Sequence, residues 1–409
     1  MTVKDRKLIK SKIAGLKRTR RFIHYRESSG FARKLDIILQ NLKISVKDPV
    51  TGVELVASFF ETDEAVFGHC DDSNGCIGDV YQYDAQELFV EYAAHCADKE
   101  KIVDILIKLN RKDDYGVRDV LIDNAVKYLP EKNIRFMIAQ FQKLSDLEEE
   151  KDDKRHWLQL VESLAAQIKD AELFEKTRAE SWGTNSVASR IDIARVYFES
   201  GDIQTALSWV QKIPETETFQ AHERTQLLND IYRQLGDTEK LTDVLYQEFR
   251  SNRSITKFQE LLDVIGNESR DTVVEQEMTA ILAQTKLNTT DIEFLIEIGK
   301  LDEAESYLLA RADQLNGDLY FRLIPLAKKL EKEDRPLGAS MLYRALLNSI
   351  LKRGYIKAYP YGISYLKKLD TLAAKITDWK GFDDHETYKN RISEKHGRKK
   401  SFWDKYVQP

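Results

Sequence analysis

The chain has 409 residues, of which 42% are hydrophobic, seven are proline and 18 are glycine, a composition that supports a large core and favours helix interiors over strands. Its 68 acidic and 63 basic residues leave a net charge of −5, which excludes polyanion binding by bulk charge. Three cysteines argue against a disulfide scaffold and for a reducing, cytoplasmic setting, and with no apolar run of ~18 residues and no signal-peptide core, no membrane partner is expected.

The first element is strongly basic. Ten Lys or Arg between Lys4 and Arg26 face one acid, Asp5, and Leu8, Ile9, Ile13 and Leu16 recur at helical spacing, with Gly15 as a weak interruption. Phe31, Leu35, Ile37, Ile38 and Leu42 define a second helix. Asp48 then offers an N-cap and Pro49 fits the first helical position, where its missing N–H costs nothing. Helices are expected over 85–97, 101–110, 117–129 and 134–144, joined by short polar turns.

Between them lies DDSNGCIGDV, Asp71 to Val80. With Gly75 as the loop glycine of a calcium site, Asp72 and Asn74 fall on ligand positions, but the first position is Cys70 and the last is Tyr81, so an EF-hand fails at both ends. An Asx-turn loop capping the next helix is the competing reading; Asp71, Asp72 and Asn74 remain the candidate metal ligands. His69, Cys70, Cys76, His95 and Cys96 lack CxxC or HxxxH spacing and suit helical cores better than zinc. Asp113, Asp114, Tyr115 and Gly116 read as a helix-to-helix turn.

The charged run SDLEEEKDDKR marks an internal joint near residue 150, ahead of a helix bearing Trp157, Leu158, Val161, Leu164, Ala165 and Ile168. From about Arg190 a repeat sets in, with turn glycines at Gly201, Gly236, Gly266 and Gly299, steps of 35, 30 and 33 residues that match tetratricopeptide-like helical hairpins. Small Ala at the crossings lets helices approach, and no single hairpin buries its apolar face alone. The expected fold is all-α, an irregular α-solenoid divided into a basic leading helix (1–30), a helical domain (31–150), repeats (151–325) and C-terminal capping helices (326–409). Protein binding on a concave face is expected to use Tyr197, Tyr232 and Arg233, although both tyrosines fit a core equally well.

The chain ends in HGRKKSFWDKY. If 385–406 is one helix, His385, Tyr388, Ile392, Trp403 and Tyr406 share a face and Arg391, Lys395, Arg398 and Phe402 another. Either the aromatics dock on the chain's own core, or Arg398, Lys399 and Lys400 contact nucleic-acid phosphates while Trp403 stacks. There is no GxxxxGK[ST], HExxH, GxSxG or GxGxxG, and His222-Glu223 lacks a second histidine, so no catalytic residue and no cofactor is assigned. An enzyme around Asp71 and Asp72 would need a bound metal.

FIHYRESSGFARKLD, DDSNGCIGDV, DDYGVRDVL, LYRALLNSIL with YIKAYPYGISYL, and HGRKKSFW, spanning Phe22 to Trp403, resemble a bacterial family of large helical proteins of unknown function. The resemblance implies a shared helical fold and a shared DDSNG turn, and no activity. Some relatives are expected to carry a SWIM-type zinc finger upstream; this chain has no such cluster.

Overall fold

The computed structural model describes residues 3–18, 20–113 and 115–407, with side chains from Leu8 onward. Asp114 and the side chains of Lys4, Asp5, Arg6 and Lys7 lie outside the described residues. Two compact units share the chain, 1–235 and 236–409. Among the described residues the structure is helical throughout, apart from turns and one isolated parallel bridge between Ile23 and Cys70.

In the first unit the helices are α1 (Val3–Leu16), α2 (Tyr25–Ser45), α3 (Pro49–Phe60), α4 (Asp63–Phe67), α5 (Cys76–Asp79), α6 (Gln86–His95), α7 (Lys99–Asn110), α8 (Asp119–Ile122), α9 (Glu131–Leu147), α10 (Lys151–Gln167), α11 (Ala171–Ser181), α12 (Val187–Ser200), α13 (Ile203–Gln211) and α14 (Ala221–Leu235). Asp48 caps α3 as its sequence indicates, accepting a hydrogen bond from Thr51 N at 2.9 Å with Pro49 at the first position. α3 is apolar nearly all round and correspondingly central: Val53, Leu55, Val56, Phe59 and Phe60 are all buried. It lies so close to α6 that a Cβ on Gly52 would sit 2.3 Å from the Tyr92 ring. The Tyr92 hydroxyl crosses to the end of α2, donating toward the carbonyls of Leu42 and Val46 and satisfying acceptors that the helix end leaves open.

The span 117–129 is not one helix. Asn124 leaves helical geometry, separating α8 from a 3-10 turn at Ala125–Lys127. The charged run near 150 is a tight turn rather than a domain joint: α9 and α10 pack on each other, with Phe141 stacked on Trp157 at 5.6 Å between centroids. Its charges are solvated because they lie at the tip of a hairpin whose two helices share a core.

In the second unit the helices are α15 (Thr238–Ser251), α16 (Ile255–Ile265), α17 (Arg270–Ala283), α18 (Thr289–Glu297), α19 (Leu301–Leu309), α20 (Tyr320–Lys332), α21 (Pro336–Arg353), α22 (Tyr359–Ala373), α23 (His385–His396) and α24 (Lys400–Val407). The expected boundary at 325/326 falls inside α20. Phe249, Phe258 and Phe294 form a mutual ring cluster with centroids 5.1–5.7 Å apart. α20, α21 and α22 pack in sequence through Leu330, Leu347, Leu351 and Leu366.

The four turn glycines share a positive φ, although Gly266, with ψ 142°, leads into a 3-10 turn rather than directly into the next helix. Their φ values are +93° (Gly201), +69° (Gly236), +91° (Gly266) and +81° (Gly299), the region closed to most side chains. At Gly201-Asp202 the glycine ends α12 left-handed and the aspartate immediately caps α13 through Thr205 N at 3.1 Å, so two residues turn one helix into the next.

Candidate functional site

The residues singled out by sequence fall in three places. Tyr197 and Tyr232 are in the core of the first unit, 8% and 7% exposed; the Tyr197 hydroxyl donates to Glu175 at 2.7 Å. Packing against the neighbouring helices takes both rings out of reach of a partner, and of the three only Arg233 is exposed.

The DDSNG loop is held by its own side chains. Asp72 accepts from Ile77 N (2.9 Å) and Gly78 N (2.7 Å), Asp71 from Ser73 N (3.2 Å) and Asn74 from Cys76 N (3.2 Å). The Asn74 amide also donates to the buried Ser28 hydroxyl at 2.9 Å, while Ile23 N and O bond His69 O and Asp71 N at 2.8 Å. The segments FIHYRESSG and DDSNGC are therefore packing partners, and Asp72 and Asn74 spend their oxygens on helix capping. No three of the His, Cys, Asp and Glu side chains converge in metal-binding geometry among the described residues. Burial, with Asp72 and Asp71 beside it, pushes the Cys70 thiol up to about 11, leaving the neutral thiol, a poor zinc ligand. DDYGVRDVL supplies Arg118, which makes a bidentate ion pair with the buried Asp63 at 2.6 and 2.8 Å.

At the C-terminus 385–406 is two helices, because the chain turns at 397–399 and α24 folds back. That break puts Phe402 in the core, edge-on to Tyr359 at 5.5 Å; a Cβ on Gly362 would approach its ring to 3.1 Å. The Trp403 indole donates to His396 O at 3.1 Å, and Tyr406 donates to Asp370 at 2.6 Å. Asp370 also takes His385 Nε2 at 2.7 Å and Lys389 at 3.1 Å. Burial works to raise its pKa, but these bonds outweigh it and hold the carboxylate below its ordinary range. The cluster ties α22, α23 and α24 together. Arg398 and Lys400 are left exposed, and Lys399 and Trp403 partly covered.

Beside this tie runs a groove of about 1130 Å³. Its floor is α21, its walls α23 and the segments around 312–318 and 381–383. LYRALLNSIL contributes the central group: Arg344 is 6% exposed, with the buried Ser340 one turn before it and Asn348 one turn after it on α21. Its guanidinium lies 4.7 Å from the Trp379 ring and 4.4 Å from Tyr388, and one Nη1–H donates to Asp383 O at 2.8 Å. Nε and Nη2 have no acceptor. Burial drives the Arg344 pKa down to about 10, against the pull of Tyr388 and Asp383. Along the rim are the exposed Lys352, Arg353, Arg391 and Lys395. Arg391 pairs with Asp383 at 2.6 Å and Arg353 with Asp318 at 3.5 Å. Five cations thus face the three carboxylates of Asp313, Asp318 and Asp383. An arginine interrupting a buried apolar run was the available sequence signal; its orphaned donors depend on what lies opposite.

The fold and this groove define the class: an all-α protein of helical hairpins packed in sequence, with a cationic groove in its second unit. The chain belongs to a family of unknown function (DUF6880), whose model matches residues 4–190 and 160–405. No curated protein matches the chain. No helix among the described residues is long and apolar enough to cross a membrane.

Proposed function

We propose that the chain is a non-catalytic scaffold that binds a protein partner, built as an irregular solenoid of tetratricopeptide-like hairpins that present their concave side. The groove along α21 carries this reading. It is larger than a typical small-molecule pocket and its rim cations are solvent-facing. Close in sequence to the lining residues Asp318 and Arg353, the side chains of Leu319, Tyr320, Phe321, Tyr355 and Ile356 are exposed, a mixture of apolar and aromatic groups with Arg of the kind found at recognition surfaces.

The test is affinity recovery of the full chain from its native lysate with and without nuclease, followed by rebinding of the purified candidate. A protein that survives nuclease and rebinds saturably supports the scaffold; recovery of nothing but nuclease-sensitive material rejects it. The second reading, nucleic-acid association, is favoured by the exposure of Arg398 and Lys400. It requires an affinity that falls steeply with salt and is lost on combined R398A, K399A and K400A substitution.

A further inference from the structure

We propose that the groove along α21 is a binding site for an acidic peptide segment of the partner, with a ligand carboxylate supplying the acceptors that Arg344 lacks. The proposal rests on the scaffold reading and adds the partner's chemistry. A guanidinium removed from water without a counter-ion is costly, yet Arg344 is placed in the wall of an open groove with one hydrogen bond and no carboxylate of its own. The two acids that act on it are committed elsewhere, Asp383 to Arg391 and Asp384 to capping α23 through Thr387 N. The stacked Trp379 and Tyr388 rings hold the cation by its faces, and the donors left over, Nε and Nη2, form the edge that matches a carboxylate bidentately; both atoms are covered, so the carboxylate reaches them by displacing a side chain at the groove wall.

Length comes from the rim. Lys352 lies two helical turns beyond Arg344 on α21, and Arg391 and Lys395 lie one turn apart on α23. A row of cations on both sides suits several carboxylates in sequence better than a single anion. The exposed Tyr320 and Phe321 beyond Asp318 add apolar contact for residues flanking the acidic run. A nucleic acid would find the same cations, but the 381–383 segment brings Asp383 and α23 brings Tyr388 to the groove rather than an open aromatic face, since Tyr388 is buried against Arg344.

Fluorescence anisotropy with the full chain decides it. The probe is a short labelled peptide of alternating Glu and Phe, compared with its Lys-for-Glu counterpart and with labelled oligothymidine. The Glu peptide is expected to bind, the Lys peptide not, and the combined K352E and K395E variant, which changes only exposed side chains, to weaken binding about tenfold or more. R344M is expected to abolish binding without lowering the melting temperature. Equal affinity for the Glu and Lys peptides, or unchanged affinity in the K352E and K395E variant, overturns the proposal; oligothymidine binding that falls in that variant while the Glu peptide fails to bind also overturns it. A lysate partner that binds the K352E and K395E variant as tightly as the unaltered chain removes the groove and leaves the scaffold standing, whereas failure of any partner to rebind removes the scaffold itself.

Discussion

Asp119 sits in an environment that its neighbours in sequence do not suggest. Burial of much of its carboxyl, then Asp113 and Asp123, push its pKa up to about 7, and its Oδ1 has no partner; His156, likewise half-buried, lies 3.9 Å away with its pKa lowered by burial. An acid whose pKa rises on folding stabilises the fold fully below its unfolded value near 4, and that contribution is lost as pH climbs through about 7. D119N is therefore expected to stabilise the protein by about 1–2 kcal/mol at pH 8, the shift being discounted for a side chain partly open to solvent, and by less at pH 5; urea melts at the two pH values that give the same increment would reject a desolvated carboxyl. The Asp63–Arg118 pair is a different case, with both members buried and mutually satisfied. Removing one partner strands a charge, so D63A is expected to cost about 3–5 kcal/mol, much of it recovered in the double variant D63A with R118M. A cost under about 1 kcal/mol for D63A would mean that Arg118 finds water instead. Neither site was legible in the chain, because DDYGVRDVL specifies a turn and gives no sign of Asp63, 55 residues away.

Helix ends, by contrast, were legible wherever a capping residue or turn glycine marks them, and were missed at 124 and 397–399. Asp48-Pro49 and Gly201 act within four residues of themselves, and the structure shows the expected cap at the first and the expected glycine turn at the second. Replacing Gly201, at φ +93°, by Ala forces a side chain into left-handed geometry and is expected to destabilise by about 1–2 kcal/mol; a neutral effect in thermal melts would show that the turn relaxes. The C-terminal element was only half legible. Its aromatic and cationic content was plain, but whether it docks or reaches outward depended on the break at 397–399, which rotates Phe402 inward. F402A is expected to cost about 3–5 kcal/mol locally, releasing α24. Hydrogen exchange confined to 400–407 and a shift in Trp403 emission check this, and exchange unchanged there would mean that the Tyr406–Asp370 tie suffices.

At the scale of the molecule, contacts gather into 1–235 and 236–409, whereas composition pointed to joints at 150 and 325. Charge density misled because a hairpin tip and a domain linker are equally solvated, and what separates them is whether the flanking helices share a core, as Phe141 and Trp157 do. Expressed separately, each unit is expected to show helical circular dichroism and a cooperative melt; a fragment that melts without cooperativity would show that its core is incomplete. The chain by itself determined that the protein is helical, where most helices start and stop, and that turns recur every 30–35 residues, since these follow from backbone propensity and capping over a few residues. Only the tertiary structure decided that Tyr197 and Tyr232 are core, that Asp72 and Asn74 cap rather than coordinate, and that Arg344 is left with unused donors, because burial and charge pairing are settled by segments distant in sequence that come to lie face to face.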